Sequence, residues 1–114
     1  MTESARIQTH WRNLPADELT NQYLARRCDQ LTAEFPEADS FEISLQVEGK
    51  QVEGHAHVDG KRTRLAAHTR GALSSRQAAE RVLDKLEREM RKEHDKRIFS
   101  ARRKAQKSQV KRQE

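Results

Sequence analysis

Five cations recur along residues 79–97, AERVLDKLEREMRKEHDKR: Arg81, Lys85, Arg88, Lys92 and Lys96, at intervals of four, three, four and four. A helix turns about 100° per residue, so those intervals gather all five into a sector about 80° wide. With Leu86 set at zero, the cations fall between roughly 200° and 280°, and Ala79, Val82, Leu83 and Met90 cluster on the Leu86 side. The acids Asp84, Glu87, Glu89, Glu93 and Asp95 take the flanks or the core margin. A merely solvated helix tends to alternate signs along its exposed face. A ridge made only of cations carries a standing repulsion of roughly 0.2–0.5 kcal/mol per neighbouring pair. A phosphate backbone reverses that cost through ion pairing and counterion release. The chemistry on offer is recognition of a polyanion.

Other reactive residue types form no catalytic set. Cys28 is the single cysteine and falls in an apolar helical pattern, which predicts a core position and suits a reducing cytosol. His55 and His57 share one strand face two residues apart, a chelating spacing, but the run of sequence around them offers no third ligand. We therefore expect no metal and no cofactor. No Ser/His/Asp order, paired-carboxylate motif or phosphate loop is present, so enzymatic activity is not expected. Arg26 and Arg27 are placed to extend the basic surface from a first helix. With one Trp, one Tyr and three Phe, the strands lack the aromatic pairs of a base-stacking sheet. Recognition by shape and backbone is the expectation.

The charge is unevenly divided. Residues 1–80 hold 10 Lys+Arg against 12 Asp+Glu, a net of −2; residues 81–114 hold 13 against 6, a net of +7. The polyanion-facing end is therefore the C-terminal one. With 33% hydrophobic and 36% charged residues, the core must come from a few well-placed side chains. No apolar run approaches membrane-spanning length, and the N-terminus lacks a charged-then-apolar leader, so a cytoplasmic protein without membrane contact is expected.

Elements to carry these residues are readable. RIQTHWR, 6–12, alternates with Ile7, Thr9 and Trp11 on one face, a strand pattern. Pro15 suits the first turn of a helix, and Leu24, Cys28, Leu31 and Phe35 mark its buried face up to Pro36. Phe41, Ile43, Leu45 and Val47 give the clearest strand, turned by Gly49-Lys50. Val52, Gly54, Ala56 and Val58 follow on a third strand, and Asp59-Gly60 reads as its hairpin turn. Thr63, Leu65 and Ala67 face inward on a fourth strand. Ser74 or Ser75 caps the second helix. The predicted fold is α+β in the order β-α-β-β-β-α: a four-stranded sheet with two helices packed on one face, plus a basic C-terminal tail. The boundaries are 1–98 for the domain and 99–114 for a frayed-helical or disordered tail whose Arg102, Arg103, Lys104, Lys107, Lys111 and Arg112 add nonspecific attraction.

Over residues 6 to about 98, this order and the stretch AAERVLDKLEREMRKEHDK resemble the ribosome hibernation-promoting factor family. Asp84, Lys85, Leu86, Arg88, Lys92, Asp95 and Lys96 match its basic-helix pattern, whereas Ser74, Ser75 and Arg76 depart from the Asp-Met-Tyr common in relatives. The resemblance implies the short form of the family, monomeric when free. It implies a partner in the rRNA of the small ribosomal subunit within the intact ribosome. It also implies a translation inhibitor of stress and stationary phase that occupies the mRNA–tRNA channel. Arg26, Arg27, Arg81, Lys85, Arg88, Lys92 and Lys96 would be its RNA-binding residues. A general double-stranded RNA-binding module is the alternative, and a protein adaptor docking an acidic partner on the second helix is a third.

Overall fold

The structure, a computed structural model, describes residues 6–112, with side chains through residue 101. Strands β1 (Arg6–Arg12), β2 (Ala38–Glu48), β3 (Gln51–Gly60) and β4 (Thr63–Ala72) form one sheet in the order β1-β2-β3-β4. The chain reaches β2 from β1 through α1 (Glu18–Glu34), so β1 pairs parallel to β2, with Ile7 opposite Phe41 and Trp11 opposite Leu45. The tight turns after β2 and β3 make the other two pairings antiparallel. Helix α2 (Ser75–Arg112) completes the predicted β-α-β-β-β-α order. It lies over β3 and β4, and α1 lies over β1 and β2.

Period-two and period-3.6 patterns meet in one core. Phe41, Ile43 and Leu45 from β2, Ala56 and Val58 from β3, Leu24, Cys28, Leu31 and Phe35 from α1, and Val82, Leu83, Leu86 and Met90 from α2 are all buried. Trp11 covers the margin, and its indole Nε1 donates to Asn21 Oδ1 at 3.2 Å, tying β1 to α1. Gly54 sets how near α2 comes. A Cβ there would stand 3.1 Å from both the Ala78 carbonyl oxygen and Val82 Cβ, so the missing side chain is filled by the helix backbone.

Two local expectations are corrected. Pro15 precedes the helix; the N-cap is Asp17, whose carboxylate accepts from Leu19 N at 3.2 Å and from Thr20 Oγ1 at 2.5 Å. A side-chain acceptor at the cap satisfies helix donors, which a proline ring cannot. The β3–β4 turn is Lys61-Arg62, with Gly60 paired to Thr63. A turn at Asp59-Gly60 would set Lys61 opposite Val58 on the buried face. The observed register sets Leu65 opposite Val58 and Ala67 opposite Ala56. Burial of apolar pairs thus outweighs the local turn preference, and Arg62 accepts a φ of 59°. Gly60 serves close approach instead, since a Cβ would run into the Glu37 carbonyl.

Gly54→Val should therefore destabilise the fold by about 1–3 kcal/mol through overpacking, read as a lower urea midpoint. Leu86→Ala should cost about 2–5 kcal/mol by opening a cavity. Cys28 is fully buried, and burial pushes its thiol up to about 12. It should resist thiol reagents at mildly alkaline pH and react fully once urea unfolds the chain.

Candidate nucleic-acid interface

Helix α2 begins with a reciprocal cap. Ser74 Oγ accepts from Gln77 N at 3.1 Å, and Gln77 Oε1 accepts from Leu73 N at 2.7 Å. From there the helix runs unbroken past residue 96, so the spacing of the five cations survives intact. Arg81, Lys85, Arg88, Lys92 and Lys96 are all exposed. Among the described residues, Arg81, Arg88 and Lys96 make no hydrogen bond or ion pair. Lys92 stands 3.7 Å from Glu89. Lys85 Nζ donates to the His68 carbonyl at 2.9 Å, which fixes the ridge on the β4 side of α2 and covers part of that edge strand.

The opposite flank of α2 meets α1, and here the charge is consumed. Arg27 Nη1 donates to Asp84 Oδ1 at 2.9 Å and to Tyr23 Oη at 2.8 Å, and Nη2 lies 3.8 Å from Glu87. Arg91 reaches Glu34 at 2.7 Å. Partial burial opposes the charge on Arg27, but the Asp84 hydrogen bond with the neighbouring Tyr23 and Asp84 outweighs it, so its pKa rises. Arg27 is thus an interhelix tie, only 19% exposed, while Arg26 points to solvent on α1. Asp84 and Glu87 separate both from the ridge. The helix-pair surface is one basic ridge on α2, set apart by an acidic seam from the single exposed Arg26 on α1.

Sequence reasoning missed the β3–β4 turn. Arg97 donates to the carbonyls of Lys61 and Arg62, holding the turn against α2. Arg62 then shares a cleft with Lys96, Glu93 and Arg97 at the far end of the ridge. Only the correct hairpin register places Arg62 there. The side chains of Arg102, Arg103, Lys104, Lys107, Lys111 and Arg112 lie outside those described.

The open sheet face holds a second cluster. His55 and His68 lie directly across β3–β4 with rings stacked at 4.2 Å. Glu53 Oε2 is 3.7 Å from His55 Nε2, and Arg70 Nε stands 3.3 Å from both Glu53 Oε1 and His68 Nε2. Desolvation, then His55 and Arg70, lowers the His68 pKa. His57, which shares a chelating spacing with His55 along the strand, is outside this group; the ligand-type atoms within 4.8 Å of one another belong to Glu53, His55 and His68. Among the described residues no helix is long and apolar enough to cross a membrane.

The fold has solved relatives. A ribosomal subunit interface protein from Coxiella burnetii superposes with a TM-score of 0.71 at 12% identity, covering 79% of this chain and 98% of its own. The N-terminal domain of Thermus thermophilus Protein Y gives 0.66 at 17% identity, covering 76% and 97%. At such identities the likeness establishes the fold. No curated protein matches the chain in sequence. The family model for Sigma 54 modulation protein / S30EA ribosomal protein, however, matches residues 7–98, which take in nearly all of β1, the whole of α1 and β2–β4, and α2 through residue 98 with its five ridge cations. The chain therefore belongs to the Sigma 54 modulation protein / S30EA ribosomal protein family, as its resemblance to hibernation-promoting factors implied.

Proposed function

We propose that this protein binds the small ribosomal subunit and silences translation by filling the channel used by mRNA and tRNA, with the α2 ridge set against rRNA phosphates. The observation that carries this reading is the ridge itself. Arg81, Arg88 and Lys96 are exposed and, among the described residues, without polar partners, in a chain of a ribosomal-protein family. From Arg81 to Lys96 the helix rises about 22 Å, enough to meet several phosphates. Lys85 and Lys92 add charge between them, Arg62 extends the line at the turn, and Arg26 offers a separate contact across the acidic seam. The action is steric: the folded body excludes other ligands and preserves an idle ribosome, with no covalent step. Ion pairing to backbone phosphates makes binding steeply salt-dependent and indifferent to base identity.

The protein should co-sediment with small subunits and with intact ribosomes, and mRNA with tRNA should displace it. Failure to sediment with either particle, or equal affinity for a plain RNA duplex, would reject ribosome-specific binding; the second outcome would favour the duplex-binding module.

Arg81→Ala with Arg88→Ala should weaken ribosome binding and lower the slope of log K against log salt by about two, with an unchanged urea midpoint. Arg27→Ala should do the reverse. It should cost about 1–2 kcal/mol of stability, between the values for exposed and buried pairs, and leave the salt slope alone. A reduced slope in Arg27→Ala would place that residue on the RNA.

A further inference from the structure

We infer that Glu53, His55 and His68 form a binding site for a divalent transition-metal ion of the zinc class on the open face of the sheet. Two imidazoles and one carboxylate are the donor set such ions prefer. They come from two adjacent strands: His55 and His68 are directly opposed in the β3–β4 ladder, and Glu53 precedes His55 by one full strand period. All three can offer a ligand atom within 4.8 Å of the others. Two ligand atoms on a tetrahedral zinc ion stand about 3.4 Å apart, given bonds of about 2.0–2.1 Å. Closure therefore asks for shifts of about an ångström. His55 keeps 41% of its side chain exposed and has room to turn, while Glu53, at 13%, is already held in place.

The cluster already holds a cation. Arg70 Nε stands 3.3 Å from Glu53 Oε1 and 3.3 Å from His68 Nε2. A guanidinium nitrogen only donates, so His68 Nε2 must present its lone pair to it, which leaves any ring proton on Nδ1. That is the tautomer a metal ligand needs. Arg70 is tethered loosely, with 75% of its side chain exposed, so an incoming ion can displace it. The β-bulge between Val52 and Gly54 sits beside these residues and gives the Arg70 segment an extra residue of slack. The site lies on the sheet face away from both helices; Lys85 of the ridge meets it through the His68 carbonyl, and the assignment does not rest on the ribosome-binding reading.

Zinc chloride titrated into the untagged full chain, followed by calorimetry and by the histidine ring nitrogens in NMR, tests the site. One ion should bind per chain, moving the signals of His55 and His68 and sparing His10 and His57. His55→Ala, His68→Ala and Glu53→Gln should each weaken binding by about 10–100-fold or more. Arg70→Ala should tighten it, because the competing cation is gone. The variants lie on the solvent face, and circular dichroism verifies that they stay folded. The assignment is overturned if saturable binding is absent, if it survives in the His55→Ala/His68→Ala double variant, or if Arg70→Ala leaves the affinity unchanged.

Discussion

The structure depends on how closely α2 can lie on the sheet. Gly54, Ala56, Ala67 and Ala72 line the strands beneath it, and Ala78 and Ala79 face them from the helix; the five alanines and Gly54 are all buried. Small residues on both sides bring the helix backbone against β3, so that a single added Cβ at Gly54 would press on Ala78 and Val82. This proximity compensates for a core poor in large side chains. It also has a directional consequence. A helix held this tightly cannot roll about its axis, so every residue along it has a fixed azimuth. The ridge is a ridge because the apolar seam is pinned.

The same constraint separates the basic residues into two groups with different physics. Arg27, Arg91 and Arg97 lie between elements, and each reaches a carboxylate or a carbonyl on another part of the chain. Arg81, Arg88 and Lys96 face away and meet none among the described residues. Acids were within reach on the same helix, yet Asp84 and Glu87 turn to α1. Neutralising the seam while leaving Arg81, Arg88 and Lys96 unpaired among the described residues keeps the α1–α2 contact strong and the outer field positive. Binding of a polyanion then has little charge pairing to break first.

Element order, strand faces and the buried face of each helix were legible because alternation and 3.6-residue periodicity are local in sequence. What escaped was what depends on pairing. The Asp59-Gly60 turn looked right by composition, but Leu65 and Ala67 had to face Val58 and Ala56, and that decided the register. His55 seemed to lack a third ligand because the strand was read along its length; His68 stands across the ladder, thirteen residues away. Arg27 read as a surface cation because the acids that hold it are 57 and 60 positions on, in another helix. Charge on a helix can be assigned to a face from sequence. Whether that charge is free requires knowing what packs beside the face.

The two proposed surfaces therefore differ in how they are built. The α2 ridge is long and made of flexible side chains on a rigid axis, an arrangement that would tolerate variation in phosphate spacing on the proposed partner. The Glu53–His55–His68 cluster is short and anchored on two strands whose register is set by core pairs directly behind it, Val58 with Leu65 and Ala56 with Ala67. Moving one strand of that pair by one residue would turn its imidazole into the core and part the two rings. On the readings proposed above, the first surface would draw its selectivity from the shape of the whole body, and the second from atoms held within a few ångströms. A single sheet supports both because its inner face holds the helix and its outer face is left to solvent.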